Sequence, residues 1–592
     1  MDLKNLPYSK SAIFISICLC FLLIVKWSWQ GIDGKGYERV IQTDGKGYYM
    51  YLPNIFLLHN LAHQKSDKRF IFEVNGRGVN KYFVGTTVAL LPFFGLASVD
   101  AAITGNWEEG YAPPFQKAMS LSALFYLLFG LIFFRKLLLA YQIRDWVIAL
   151  CIPMLVFGTN LLAYVVIYPS MSHLYSFTSI AAFLFLAKRW LDSRHRKYLL
   201  WMCLAFAFIV LIRPVNGIVI LLLPFIAGNA ENLKTSMREL AQPKNWMLCL
   251  GILAAVWSMQ VMAWYVQTGK FLVWGYQNEG FNFLHPEIWK TLFGFRKGLF
   301  IYTPLILLSL SGLVLLFRQN LFKAFALSGF LAILVYAISS WWNWSYGPSF
   351  GHRAFIDFYA TFGLLLALAL HHFKKKIISV GLLTIAFLCL SLNMVQAYQY
   401  NFLIWSSDCM NFQKYKYTFL KTSLDYSGVL GGVRDLKPYC HSMKPVYESK
   451  IDFSGNRENW SLGNLITLKD DTVSDYSKRE FNTTLMLPVN VMGEHREFFL
   501  KLQLDRYDLQ AGSSSNALVV VELDSAEGGS YFYYAFKMND YPTEKPGWKT
   551  WHYALAIPTV RSEGDLLKIY VWNRKQEEFY IDNVRVKLLA VD

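Results

Sequence analysis

Apolar runs long enough to cross a bilayer recur through the first two thirds of the chain and then stop. A run of 18 or more apolar residues makes a helix that spans the hydrocarbon. Repetition of such runs dictates a polytopic α-helical membrane domain over 1–400. The first span is predicted at 11–29, and no small-residue cleavage site precedes residue 30, so it is expected to be retained. Further spans are expected near 117–136, 146–165, 173–190, 198–212, 214–228, 246–266, 299–317, 322–339, 354–371 and 376–396.

Charge sets the expected orientation. The formal net charge of +16 comes from Lys and Arg in short loops between apolar runs, a pattern that orients helices and argues against nucleic acid as a partner. Lys4 and Lys10 place the N-terminus in the cytoplasm, and basic loops at 135–144, 188–197, 234–244, 318–323 and 374–376 fall on the same side. Segment 84–104 is apolar, yet a full crossing there would put every later basic loop outside. It is therefore read as re-entrant or interfacial, broken at Pro92 and Gly95. About eleven crossings remain, and compact loops suit a bacterial plasma (inner) membrane.

Of the eight Cys, six (Cys18, Cys20, Cys151, Cys203, Cys249 and Cys389) lie in apolar runs and are expected to act as small hydrophobes. Cys409 and Cys440 could pair in an oxidising compartment.

After an extracytoplasmic linker at 401–440, the pattern changes. Over 441–592, short β-branched or aromatic runs at 481–489, 497–504, 517–523, 531–537, 549–557, 566–572 and 579–588 alternate with turn residues. Such spacing predicts an all-β jelly roll or sandwich. Its closing YIDNVRVKL has the form of a final strand in carbohydrate-binding jelly rolls, so this domain is read as structural or sugar-binding.

The external loops hold the residues suited to chemistry. DGKGY occurs twice, at 33–37 and 44–48. The second copy runs into an aromatic, amphipathic stretch, 49–61. A carboxylate just outside the hydrocarbon can act as a base without burial in mid-bilayer, which makes Asp44 the leading catalytic candidate and Asp33 its rival. Arg213, Lys297 and Arg353 are candidate phosphate ligands. Tyr48, Lys81, His173, Glu279, Trp344 and His352 are candidate substrate contacts. Asp357 follows Arg353 by four residues, and an intrahelical ion pair is expected there. One acid, several cations and a tryptophan-rich loop on one membrane face suit an anionic, lipid-borne donor, since soluble nucleotide sugars are not expected outside.

A first-loop acid in TDGKGYYMYLP, an interface helix before the next span and a large extracytoplasmic C-terminal domain together resemble the GT-C superfamily. The likeness is to the polyprenyl-phosphate-sugar-dependent branch of protein O-mannosyltransferases and the lipid A aminoarabinose transferase. It covers about residues 10–400. It implies that Asp44 is the base, that a polyprenyl-phosphate-linked sugar is the donor, and that a lipid, glycan or protein is the acceptor. Relatives often carry paired acids at this point and this chain does not, so a divalent cation, Mg or Mn, stays open as a cofactor. Two other readings remain: an extracytoplasmic glycan ligase or polymerase, and a non-enzymatic lipid or glycan transporter. Scarce ionisable residues within the spans and the lack of an inverted repeat weigh against the transporter.

Overall fold

The computed structural model describes residues 7–31, 36–64, 70–74, 76–276, 279–372, 376–407, 410–426, 445–455, 459–468, 471–492, 498–510, 514, 517–538, 545–557 and 560–590. Asp33, Cys409 and Cys440 lie outside them. The chain divides into two compact units, one ending at Ala397 and the other beginning at Tyr398.

The first unit is helical and belongs to a multi-pass membrane protein. Among the described residues, seven helices are long and apolar enough to cross a bilayer: Tyr8–Gln30, Gly85–Thr104, Glu108–Ala140, Pro243–Thr268, Leu321–Ser339, Arg353–His372 and Ile377–Asn401. Shorter apolar pieces are Asp145–Phe157, Pro214–Ala227 and Pro304–Gln319. Phe14, Leu22, Leu96, Val99 and Phe387 stand exposed on these helices, as side chains facing lipid must. Arg353–His372 is instead almost wholly buried at the centre of the unit.

Three details depart from the sequence reading. Gly85–Thr104 runs unbroken through Pro92 and Gly95: away from water, the helix is the conformation that satisfies its backbone, and one proline is tolerated. Segment 214–228 is a 3-10 stretch, Pro214–Leu222, followed by the short helix Leu223–Ala227. Cys203 and Cys249 form a disulfide with Cα atoms 5.6 Å apart, because helices Arg196–Ile212 and Pro243–Thr268 pack side by side. Their place in apolar runs marks both cysteines as small hydrophobes without showing that they face each other; both are partly exposed.

A hairpin, β1 (Ile71–Val74) and β2 (Arg77–Asn80), lies in the first long loop. The second unit is all-β: β3 (Pro445–Ile451), β4 (Trp460–Leu462), β5 (Leu465–Leu468), β6 (Asp471–Asp475), β7 (Thr483–Pro488), β8 (Phe498–Asp508), β9 (Leu518–Asp524), β10 (Ser530–Lys537), β11 (Gly547–Ile557), β12 (Leu566–Trp572) and β13 (Phe579–Ala590). One antiparallel sheet has the order β10-β9-β12-β7-β4, the other β11-β8-β13-β6-β5, with β3 also on β13. Alternation along β8 and β12 sends Leu500, Leu502, Leu504, Leu567 and Ile569 into one core between the sheets. β3 to β6 were not foreseen, because β4 to β6 are only three to five residues long and β3 carries Glu448, Ser449 and Lys450.

Candidate active site

The second DGKGY copy forms the helix Thr43–Tyr49, and its glycines are spacers. A Cβ on Gly45 would lie 2.1 Å from Ser170 Oγ, and one on Gly47 would lie 2.3 Å from the Tyr82 ring. Only glycine allows this backbone to approach so closely. Further bonds fix the segment: Asn80 Nδ2 donates to the Gly47 carbonyl at 2.8 Å and Thr87 Oγ1 to that of Tyr48 at 2.7 Å. The Tyr48 and Tyr82 rings meet at 4.5 Å. Thr43 enters the helix at φ 51°, the left-handed region that a β-branched residue rarely adopts, and its buried Oγ1 has no partner. Strain of this kind gathers at functional sites.

Asp44, in the next position, faces a cavity of about 510 Å³. Arg353, 309 residues later, donates from Nη2 to Asp44 Oδ2 at 2.6 Å. Burial pushes the Asp44 carboxyl up, but Arg353, the Tyr82 hydroxyl and Lys81 outweigh it and hold Asp44 below the usual carboxylate range. Burial pushes the Tyr48 and Tyr82 phenols up, so both stay protonated.

A second charged cluster adjoins the first. Asp357 is fully buried, and its Oδ1 lies 2.8 Å from His173 Nδ1. Its Oδ2 accepts from Asn216 Nδ2 at 2.7 Å and stands 3.5 Å from Arg213 Nη1. Arg213 Nη1 also lies 2.8 Å from His173 Nδ1. One imidazole nitrogen serves only one of these neighbours at a time, so the His173 tautomer decides which bond forms. The expected Arg353–Asp357 pair does not form. Residues 353–358 make a 3-10 helix, whose three residues per turn carry positions four apart onto different faces.

A third pair, Lys81 Nζ to Glu279 Oε1 at 3.1 Å, stands on the same cavity. Aromatic side chains line it as well, among them Trp274, Phe281, Trp341 and Trp342. The stretch from Gly280 to Asn282 is bound to 340–342 by Trp342 N to Gly280 O at 2.9 Å and Asn282 N to Ser340 O at 2.6 Å. Of the lining aromatics, Trp274 and Trp342 are more than half exposed.

Seven of the ten residues singled out by sequence thus line one cavity: Asp44, Tyr48, Lys81, His173, Arg213, Glu279 and Arg353. Three do not. Lys297 is buried against the Ser349 carbonyl, the Trp344 ring lies against the Arg296 guanidinium, and His352 Nε2 is 3.0 Å from the Trp344 carbonyl. Tyr82, beside Lys81, lines the cavity too, and so do Trp274, Tyr276 and Tyr346, which were missed. Nothing in sequence separates them from the many aromatics of a membrane interface.

The donor set does not assemble a metal site. A guanidinium engages the Asp44 carboxylate, and no group of three or more His, Cys, Asp or Glu is placed to hold an ion among the described residues.

No protein-family model matches the sequence, and no curated protein does. Among solved structures, the chain is similar to the apo oligosaccharyltransferase of Archaeoglobus fulgidus, with 13% identity and a TM-score of 0.43 over 75% of this chain and 62% of that one. An archaeal oligosaccharyltransferase from the same organism, in complex with an inhibitory peptide and a dolichol-phosphate, gives 11% identity and a TM-score of 0.40 over 74% and 61%. The arabinosyltransferase of Mycobacterium smegmatis gives 10% identity and a TM-score of 0.36 over 98% and 64%. The chain spans less than two thirds of each of these structures.

Proposed function

We propose that this cavity transfers a sugar from a polyprenyl-phosphate-linked donor to an acceptor hydroxyl or amine on the extracytoplasmic face of the membrane, as a GT-C type glycosyltransferase. The observation that carries the reading is the meeting of Asp44 with Arg353 in a cavity that tryptophans, exposed Trp274 and Trp342 among them, also line. A donor of this class has the same two-part chemistry: a sugar phosphate suited to the charged side chains and an isoprenoid chain suited to the aromatic ones. The orientation rests on the basic loops, which the positive-inside rule assigns to the cytoplasm, with the unbroken helix Gly85–Thr104 taken along the outer interface and not as a crossing. By length, residues 1–400 are the transferase domain, 401–440 a linker and 441–592 an extracytoplasmic β-sandwich.

Asp44 acts as general base. As the acceptor oxygen or nitrogen attacks the anomeric carbon, its proton passes to Asp44. The bond from that carbon to the phosphate oxygen breaks, its electron pair stays on the oxygen, and polyprenyl phosphate leaves. Arg353 and Arg213 stabilise the charge that grows there, while His173 orients Arg213. Single displacement inverts the anomeric configuration. The test is transfer by the purified chain from a defined polyprenyl-phosphate sugar, with product stereochemistry read by NMR. Inversion with stoichiometric release of polyprenyl phosphate is expected; retention, or no transfer from any lipid-phosphate sugar, overturns the reading.

A further inference from the structure

Every cation among the described residues of the cavity already faces a carboxylate: Arg353 faces Asp44, Arg213 faces Asp357 and Lys81 faces Glu279. An anionic donor must therefore displace a carboxylate to gain a strong contact. The three pairs differ in how readily they yield. Asp357 is fully buried and held by His173, Arg213 and Asn216 together. Glu279 and Lys81 are both partly exposed, so solvent screens their attraction for each other and for a phosphate.

Arg353 is the exception. Its side chain is 10% exposed while that of Asp44 is 32% exposed. Apart from Asp44, among the described residues its guanidinium reaches the Met171 sulfur alone, at 3.5 Å from Nη1, and Nε has no partner there. A buried fork with one oxygen acceptor is undersatisfied, and a phosphate can offer it two oxygens where Asp44 offers one.

We propose that the donor phosphate takes Arg353 from Asp44, and that Asp44, once it has shed the acceptor's proton, takes Arg353 back and so releases the lipid phosphate. This rests on the sugar-transfer reading. The charges fit at each step. The donor phosphodiester carries one negative charge and Asp44 another. After transfer the phosphate monoester can carry two and protonated Asp44 none, so Arg353 is held hardest by the leaving group as it forms. Asp44 in its resting pair is a weak base, because Arg353 holds its carboxyl low. Loss of that partner raises its proton affinity when the acceptor must be deprotonated.

The exchange is tested by binding of a short-chain polyprenyl phosphate to the full-length protein in detergent. Wild type, Asp44→Asn, Arg353→Met and the double variant are compared. Removal of the competing carboxylate is expected to tighten binding about 10- to 100-fold when Arg353 is present. It should change affinity by no more than about twofold when Arg353 is Met, since no contested partner remains. Equal affinity in wild type and Asp44→Asn overturns the proposal. So does the same tightening in both backgrounds, which is the signature of simple repulsion. Failure of the wild type to bind the lipid phosphate at all defeats the sugar-transfer reading itself. Should Asp44→Asn not fold, Asp44→Ser is read in the same way.

Discussion

Each unit of the protein buries an arginine against an aspartate, and the two pairs have opposite surroundings. In the β unit, Arg506 meets Asp508 at 2.9 Å with both side chains almost wholly buried. Arg506 also donates to the Met538 carbonyl at 3.1 Å and lies over the Trp551 ring at 4.4 Å. A cavity between the two sheets measures about 20 Å³, room for a water and not for a sugar. In the helical unit, Asp44 and Arg353 stand on about 510 Å³ of open space beside a strained backbone and an orphaned hydroxyl. A buried ion pair alone is thus no sign of chemistry; access to open space and a strained backbone are what separate the two.

Four experiments break or sharpen that contrast. Arg353→Met removes a cation from the leaving phosphate and is expected to lower kcat by about 10²–10³ while the protein still folds. Asp508→Asn should do the reverse. Removing the negative charge beside buried Arg506 destabilises by about 3–5 kcal/mol, seen as faster hydrogen exchange across β8 and β11, with transfer by the folded fraction unchanged. An unchanged rate for Arg353→Met, or a selective loss of transfer in Asp508→Asn, would erase the distinction.

Smaller effects follow from spacing and titration. Gly47→Ala drives a Cβ into the Tyr82 ring and is expected to lower stability by about 1–3 kcal/mol, read as a fall in melting temperature. In the β unit, burial pushes Asp582 up to about 6, helped by Asp471, Asp505 and Asp452. Its folded pKa exceeds the unfolded one, so the folded state binds the proton more tightly. Asp582's own contribution to stability is then fully present below about pH 4 and is lost as pH climbs through about 6. Partial solvation keeps the effect to the order of 1 kcal/mol; thermal melts of Asp582→Asn against wild type across this range should lose that slope.

The contrast also explains what the sequence could tell. The apolar runs locate the long helices, because hydrocarbon length is a strong constraint, but 146–165 and 299–317 are each broken into shorter pieces. The strands from β7 to β13 were legible because β-branched and aromatic runs stand between turn residues there; β4 to β6 are only three to five residues long and β3 carries Glu448, Ser449 and Lys450. Asp44, Arg213 and Arg353 could be placed in one region because the basic loops gave the membrane a side. Which cation each acid meets could not be read. Asp357 was assigned to Arg353 on helical spacing, and a local 3-10 turn sent it to His173 and Arg213 instead. Lys297 has the right charge and the right loop, yet it lies off the cavity, a fact of packing that no spacing encodes.

The most direct measurement of the central claim is transfer from a polyprenyl-phosphate sugar by purified wild type and Asp44→Asn, with melting temperature as the check on folding. Loss of the general base predicts a fall of about 10²–10⁴ in kcat with the fold intact. Turnover by Asp44→Asn at the wild-type rate would contradict the account.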